Sequence, residues 1–240
     1  MRCGLFGKLG AKRDFIALAT PRKFLEAWEP WLQACVSASR HQLQDKWQSA
    51  FLTAPIWRFW LGADICGATV AGAIMPSVDG VGRYYPLTLL AVANPELSIP
   101  SPDLDAQNDW FLAAEELLLS TLDQTNSFES ISSALESLSS PLTQAVVSRT
   151  DEIFALGENM VGTVSTGQTF QTALSTVRQV NHGSSAAATF WWTAGGGDFP
   201  SVALCCRGMP DPFQYAIMLT GAFEEHRVKD TIPNDISGSS

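Results

Sequence analysis

The sequence predicts an α/β chain of the α+β kind: a mainly antiparallel sheet with helices packed on its faces. Three observations predict it. Three runs rich in β-branched and aromatic residues, 55–61, 68–75 and 84–92, follow one another with short links, as in an antiparallel meander. Ahead of them, Phe24, Leu25, Trp28, Trp31, Leu32, Cys35 and Val36 fall on one helical face. Beyond them, Trp110, Phe111, Ala114, Leu117, Leu118 and Leu122 do the same. Such elements are stable when their apolar faces cover one another. Eight Trp and thirteen Phe supply bulk for that core.

The elements follow in chain order. Residues 3–9 read as a short strand with Gly4 and Gly7 marking close packing or a bulge. They are not a phosphate loop: that pattern needs Gly where Arg2 stands and Ser or Thr where Leu9 follows Lys8. Thr20-Pro21 predicts a helix start, Thr as N-cap and Pro at the first helical position. Pro30 then either kinks this helix or opens a second one. In the run 55–61, Ile56, Arg58 and Trp60 share one face and Trp57, Phe59 and Leu61 the other. Residues 94–108 read as a linker. The helix after it puts Glu115, Glu116 and Asp123 on its polar side, and Phe128, Ile131, Leu135 and Leu138 predict a shorter helix. A further helix is expected over 172–180. Residues 189–192 and 202–206 read as a hairpin around a loose Gly-rich loop. Pro210 or Pro212 starts a last helix, and a polar tail runs over 227–240.

Charge and cysteine content narrow the function classes. The net charge of −9 disfavours nucleic acid, which needs a basic face. The charge is uneven: residues 1–102 carry +3, 103–158 carry −10 and 159–240 carry −2. The acidic block is either a solvated helical face or a docking surface for a basic partner. It is also either an insertion or the second half of one compact unit. Cys3, Cys35, Cys66, Cys205 and Cys206 lack C-x-x-C spacing and are read as small buried apolar residues in a reducing compartment. No apolar segment follows Arg2, so no secretory signal is expected. The longest apolar-leaning uncharged run, 65–78, is too short to cross a membrane. A cytoplasmic chain without membrane insertion is expected.

No chemistry-bearing constellation stands out. His41, His182 and His226 are isolated, there is no G-x-S-x-G elbow, and no cofactor or metal site is expected. What remains is the polar stretch 75–88, which sets Ser77, Asp79, Gly80, Gly82 and Arg83 between two strands. One reading is structural. Asp79 pairs with Arg58 or Arg83, Ser77 caps the turn, and Gly80 and Gly82 take unusual backbone angles. The other reading makes Arg58 and Arg83 an anion-binding or partner-docking site.

Three motifs together carry a family resemblance. They are Gly4-x-x-Gly7-Lys8-Leu9 with Asp14-Phe15, then Pro55-Ile56-Trp57-Arg58-Phe59, then the stretch from Met75-Pro76-Ser77-Val78-Asp79 through Val81-Gly82-Arg83 to Pro86-Leu87-Thr88. In order and spacing they resemble the TagF (also ImpM) family of type VI secretion system-associated proteins. Gly10 and Arg13 stand where that family usually has Pro and Gly. The resemblance implies a single domain over 1–226. It would comprise an N-terminal sheet and Trp-rich helix (1–93), an acidic helical segment (109–140) and a C-terminal hairpin and helix (184–219). It further implies a non-enzymatic cytosolic regulator that represses assembly or firing of the secretion machine after translation, by binding a forkhead-associated-domain scaffold. The competing readings are a hydrolase-like enzyme acting near Arg83 and a structural subunit of the apparatus. Trp57, Arg58, Ser77, Asp79, Gly82 and Arg83 are the candidate partner-binding or turn-forming residues.

Overall fold

The computed structural model describes residues 2–123, 125–145, 153–156, 159–162 and 186–226. The helix expected over 172–180, His182 and the tail 227–240 lie outside these residues. At the centre is a seven-stranded sheet, antiparallel throughout as the sequence predicts. Its strands are β1 (Cys3–Gly7), β2 (Ile16–Leu18), β3 (Trp57–Leu61), β4 (Val70–Met75), β5 (Leu87–Val92), β10 (Ala188–Thr193) and β11 (Val202–Arg207). Their order is β11-β10-β3-β4-β5-β1-β2. Consecutive β3, β4 and β5 form the meander, β1 pairs on its far side, and the C-terminal hairpin adds to the β3 edge.

One face of the sheet is covered by α1 (Arg22–Leu43), α2 (Trp47–Thr53), the short α3 (Ala63–Cys66) and a C-terminal helix. Helix α1 buries Phe24, Trp28, Trp31, Leu32, Cys35 and Val36, so the periodicity of its apolar residues sets the buried face. It runs unbroken through Pro30. Its N-cap is Pro21, not Thr20: Pro21 has ψ 143°, so the chain is still extended there and helical geometry begins at Arg22. Trp28 packs on Phe59 and Trp191 with ring centroids 4.5 and 5.8 Å away, and this aromatic cluster ties α1 to β3 and β10. The hydrophobic partition of β3 follows its alternation. Trp57, Phe59 and Leu61 enter this core, and Trp60 enters the other.

The opposite face is covered by the acidic segment, as α4 (Asn108–Ser120) and α5 (Phe128–Ser137). Trp110, Phe111, Ala114, Leu117 and Leu118 of α4 pack with Ile131 and Leu135 of α5 over Leu5, Ala73 and Leu89 of the sheet. Leu122, expected on the buried stripe, lies beyond the helix end and is exposed. Ser127 caps α5 by accepting a hydrogen bond from the Ser130 amide. The expected linker is anchored to the sheet. Ile99 is buried, its amide donates to Thr69 Oγ1, its carbonyl accepts from Trp60 Nε1, and β6 (Leu97–Ser98) pairs with β7 (Gln144–Ala145). A further two-stranded pair joins β8 (Ile153–Leu156) and β9 (Asn159–Gly162). The last helix, α6 (Tyr215–Thr220), is preceded by one 3-10 turn over Pro212–Gln214, so Pro212 rather than Pro210 marks its start.

Candidate functional site

Residues 76–86 link β4 to β5, and their backbone is bonded like a hairpin end. Val78 bridges Tyr84, the Tyr85 amide donates to the Ser77 carbonyl, and the Asp79 amide donates to the Arg83 carbonyl. Gly82 closes the turn with φ +84°, a left-handed angle that disfavours any residue with a Cβ. Gly80, expected to share such an angle, has no left-handed φ, but its place is a tight one. An added Cβ would lie 3.0 Å from the Gly10 carbonyl oxygen, so the turn sits directly against the 8–15 loop.

Asp79 is the hub, and its side chain is wholly shielded from solvent. Oδ1 accepts from the amides of Val81 (3.1 Å) and Arg83 (2.8 Å). Oδ2 accepts from Lys8 Nζ (2.8 Å) and Arg83 Nε (2.7 Å). Burial by itself would raise the Asp79 carboxyl pKa. The Lys8 ammonium, then the Arg83 amide and guanidinium and the Val81 amide, outweigh it and hold the carboxyl well below the usual carboxylate range. Arg83 also donates to the Arg13 carbonyl, and the Gly80 amide to the Lys12 carbonyl. Phe15 packs edge-on to Tyr85 at 4.9 Å, with Lys8 Nζ 5.1 Å from its ring centre. The weak N-terminal motif and the long turn motif are therefore one structure, joined by Lys8–Asp79.

Arg58 belongs to a different pair. Its guanidinium makes a two-pronged contact with Glu115 of α4, Nε to Oε1 at 2.7 Å and Nη2 to Oε2 at 2.8 Å. It does not pair with Asp79. The two arginines are engaged separately, and Arg83 alone is substantially exposed, at 56 % of its side chain. Trp57 is buried in the α1-side core and donates to the Met218 carbonyl. Asp14 and Phe15 are exposed, and Ser77 is buried. Gly4 and Gly7 mark close approaches: an added Cβ would come within 2.7 Å of the Ala19 carbonyl oxygen and 2.1 Å of the Pro86 carbonyl oxygen respectively.

Two partners escaped the sequence reading, and each left a signal. Lys8 is flanked by Gly7 and Leu9 at the end of an apolar strand, where a buried ammonium requires an acid. Glu115 lies four residues after Phe111 and three before Leu118, both buried, which places it at the margin of the inner face and not on the solvated side. The cysteine reading also needs correction. Cys3, Cys35 and Cys66 are buried, with burial raising each thiol (Cys3 to about 11), but Cys205 is exposed and Cys206 half-buried. Their alternation follows β11, whose face toward the helical side is partly buried and whose other face is exposed.

Beside the turn lies a groove of about 650 Å3. Residues 76–80 line one side, Leu52, Ala54 and Ile56 another, and Leu119, Thr121, Leu122, Asp123 and Asn126 the third. Among the described residues, no group of three His, Cys, Asp or Glu side chains is placed to hold a metal ion. No described helix is long and apolar enough to cross a membrane.

A structural neighbour fits this arrangement over nearly its whole length. It is PA0076 from Pseudomonas aeruginosa PAO1, solved as a crystal structure at 2.05 Å resolution, with a TM-score of 0.76 and 28 % sequence identity. The alignment covers 91 % of this chain and 94 % of that one. No curated protein matches the sequence. A family model described as the TagF N-terminal domain, type VI secretion system-associated, matches residues 4–138. That span holds β1 to β5, α4 and α5, the Asp79 hub and the Arg58–Glu115 pair, and the chain belongs to the TagF family of type VI secretion system-associated proteins.

Proposed function

We propose that the protein is a non-enzymatic cytosolic regulator that represses assembly or firing of a type VI secretion system by binding its forkhead-associated-domain scaffold. The observation that carries the reading is the saturation of the Asp79 hub within a chain of this family. Each carboxylate oxygen accepts two hydrogen bonds, and a carboxylate held far below its usual range is a poor proton acceptor. The turn that marks the family thus serves to fix the 8–15 loop against β4 and β5. Family membership supplies the association with the secretion system.

The test is a clean deletion in a strain with an active system, followed by complementation. Deletion is expected to raise secretion of a substrate protein without raising its transcript, and complementation to restore repression. The purified scaffold is expected to bind the purified chain directly. Unchanged secretion in the deletion strain would remove the repressor role. A null binding result with repression intact would remove the scaffold as partner.

A further inference from the structure

We propose that the outward face of α4, together with the groove at its C-terminal end, is a docking surface for a basic amphipathic segment of a partner protein. The inference rests on the regulatory reading above and names a surface for it. On α4, Asp109, Leu112, Glu116 and Leu119 recur at offsets of three and four residues, which places them on one face. All four are exposed, Leu112 and Leu119 at 51 % each. Leu122 (58 % exposed) and Asp123 extend the same alternation of leucine and acid past the helix end. A face that is only solvated has no need of leucines at every other step.

The face leads into the groove, because Leu119, Leu122 and Asp123 line both. Across the groove, Leu52 is half exposed and Ile56 adds apolar surface. Ser77 also lines it. It is only 5 % exposed.

Charge selects the occupant. Residues 103–138 contain eight Asp or Glu and no Lys or Arg, and Glu115 of these pairs with Arg58. A segment that alternates Lys or Arg with Leu, Ile or Phe matches both halves of the pattern. Its apolar side fills the groove, as in helix-in-groove recognition, and its cations meet Asp109, Glu116 and Asp123.

The experiment measures two binding reactions by titration calorimetry. The probes are the purified forkhead-associated-domain scaffold and a synthetic lysine–leucine amphipathic helical peptide. The variants are Leu119→Arg, Glu116→Lys and, as a control on the opposite helical layer, Glu26→Lys. All three substitutions are at exposed positions, and thermal melts verify that each variant is folded. Leu119→Arg and Glu116→Lys are expected to weaken binding by about tenfold or more, with Glu26→Lys unchanged. Affinity is also expected to fall several-fold between about 50 and 300 mM salt.

Peptide binding that is localised to this face, with no scaffold binding, supports the surface and removes the scaffold from the proposed function. Scaffold binding that is indifferent to both α4 variants overturns the surface and leaves the regulatory reading standing. Equal losses at Glu26 and Glu116 show plain charge attraction and overturn the surface. So does concentration-dependent self-association that Leu119→Arg abolishes, since the occupant is then a second copy. Binding of neither probe overturns it as well.

Discussion

Asp79 keeps a full negative charge where solvent does not reach its side chain, because four donors surround it. The pH dependence follows from the direction of its shift. In the unfolded chain an Asp titrates at about 3.9. In the folded chain the carboxyl stays ionised well below that value. Its contribution to stability is therefore fully present above about pH 4 and is lost as the pH falls toward the folded value. Thermal melts across about pH 2 to 7 should show a wild-type midpoint that drops steeply below about pH 4, and an Asp79→Asn midpoint that starts lower and drops less. Parallel curves would exclude Asp79 as the source of the slope. A second outcome concerns Lys8, which is 5 % exposed. Asp79→Asn strands its ammonium, so at neutral pH Lys8→Met/Asp79→Asn should melt roughly 5 °C above Asp79→Asn alone. A double variant that melts lower than the single one would show that Lys8 does not depend on Asp79.

At the level of elements, the Arg58–Glu115 contact joins strand β3 to helix α4, which packs on the neighbouring central strand β4. Both side chains are largely withdrawn from solvent, at 13 % and 22 % exposure, and the geometry is two-pronged. A double-mutant cycle with Arg58→Ala and Glu115→Ala, read by urea unfolding, should give a coupling of about 1–2 kcal/mol. Additive losses would mean that the two contribute independently. This pair also marks the limit of what the sequence discloses. Elements with a strong period were legible: the buried face of α1, the alternation of β3, the meander and the C-terminal hairpin. Which carboxylate meets Arg58 was not, because the partner lies 57 residues away and Asp79 is an equally acidic choice nearer in sequence. The same holds for Lys8 and Asp79, 71 residues apart, which become neighbours only once β1 pairs with β5. The start of α1 was misplaced by one residue because proline's φ suits both the N-cap and the first helical position, and only ψ separates them. The turn meets the 8–15 loop through the backbone carbonyls of Lys12 and Arg13, which any residue type at those positions presents.

The whole molecule is built across the boundary at which the family match stops. Residues 4–138 match the TagF N-terminal domain, yet β10 hydrogen-bonds to β3 and places Trp191 in the centre of the α1-side core. Trp191 is fully buried, packs at 5.0 Å from Trp31 and 5.2 Å from Phe59, and donates to Thr189 Oγ1. Trp31 in turn donates to the Pro210 carbonyl, and Trp57 to the Met218 carbonyl within α6. Three indoles thus bind the N-terminal half to the C-terminal elements, and removing one should be felt by both. Trp191→Ala is expected to lower unfolding free energy by about 3–5 kcal/mol. With a shared core, the chain should also unfold in one transition, so urea curves followed by tryptophan fluorescence and by far-ultraviolet circular dichroism should coincide in the wild type. They should still coincide in Trp191→Ala, shifted together to lower urea. If the dichroism curve of the variant splits, leaving a helical and sheet signal that melts where the wild type melts, residues 4–138 hold a core of their own. The C-terminal hairpin would then be an attachment to that core and not a part of it.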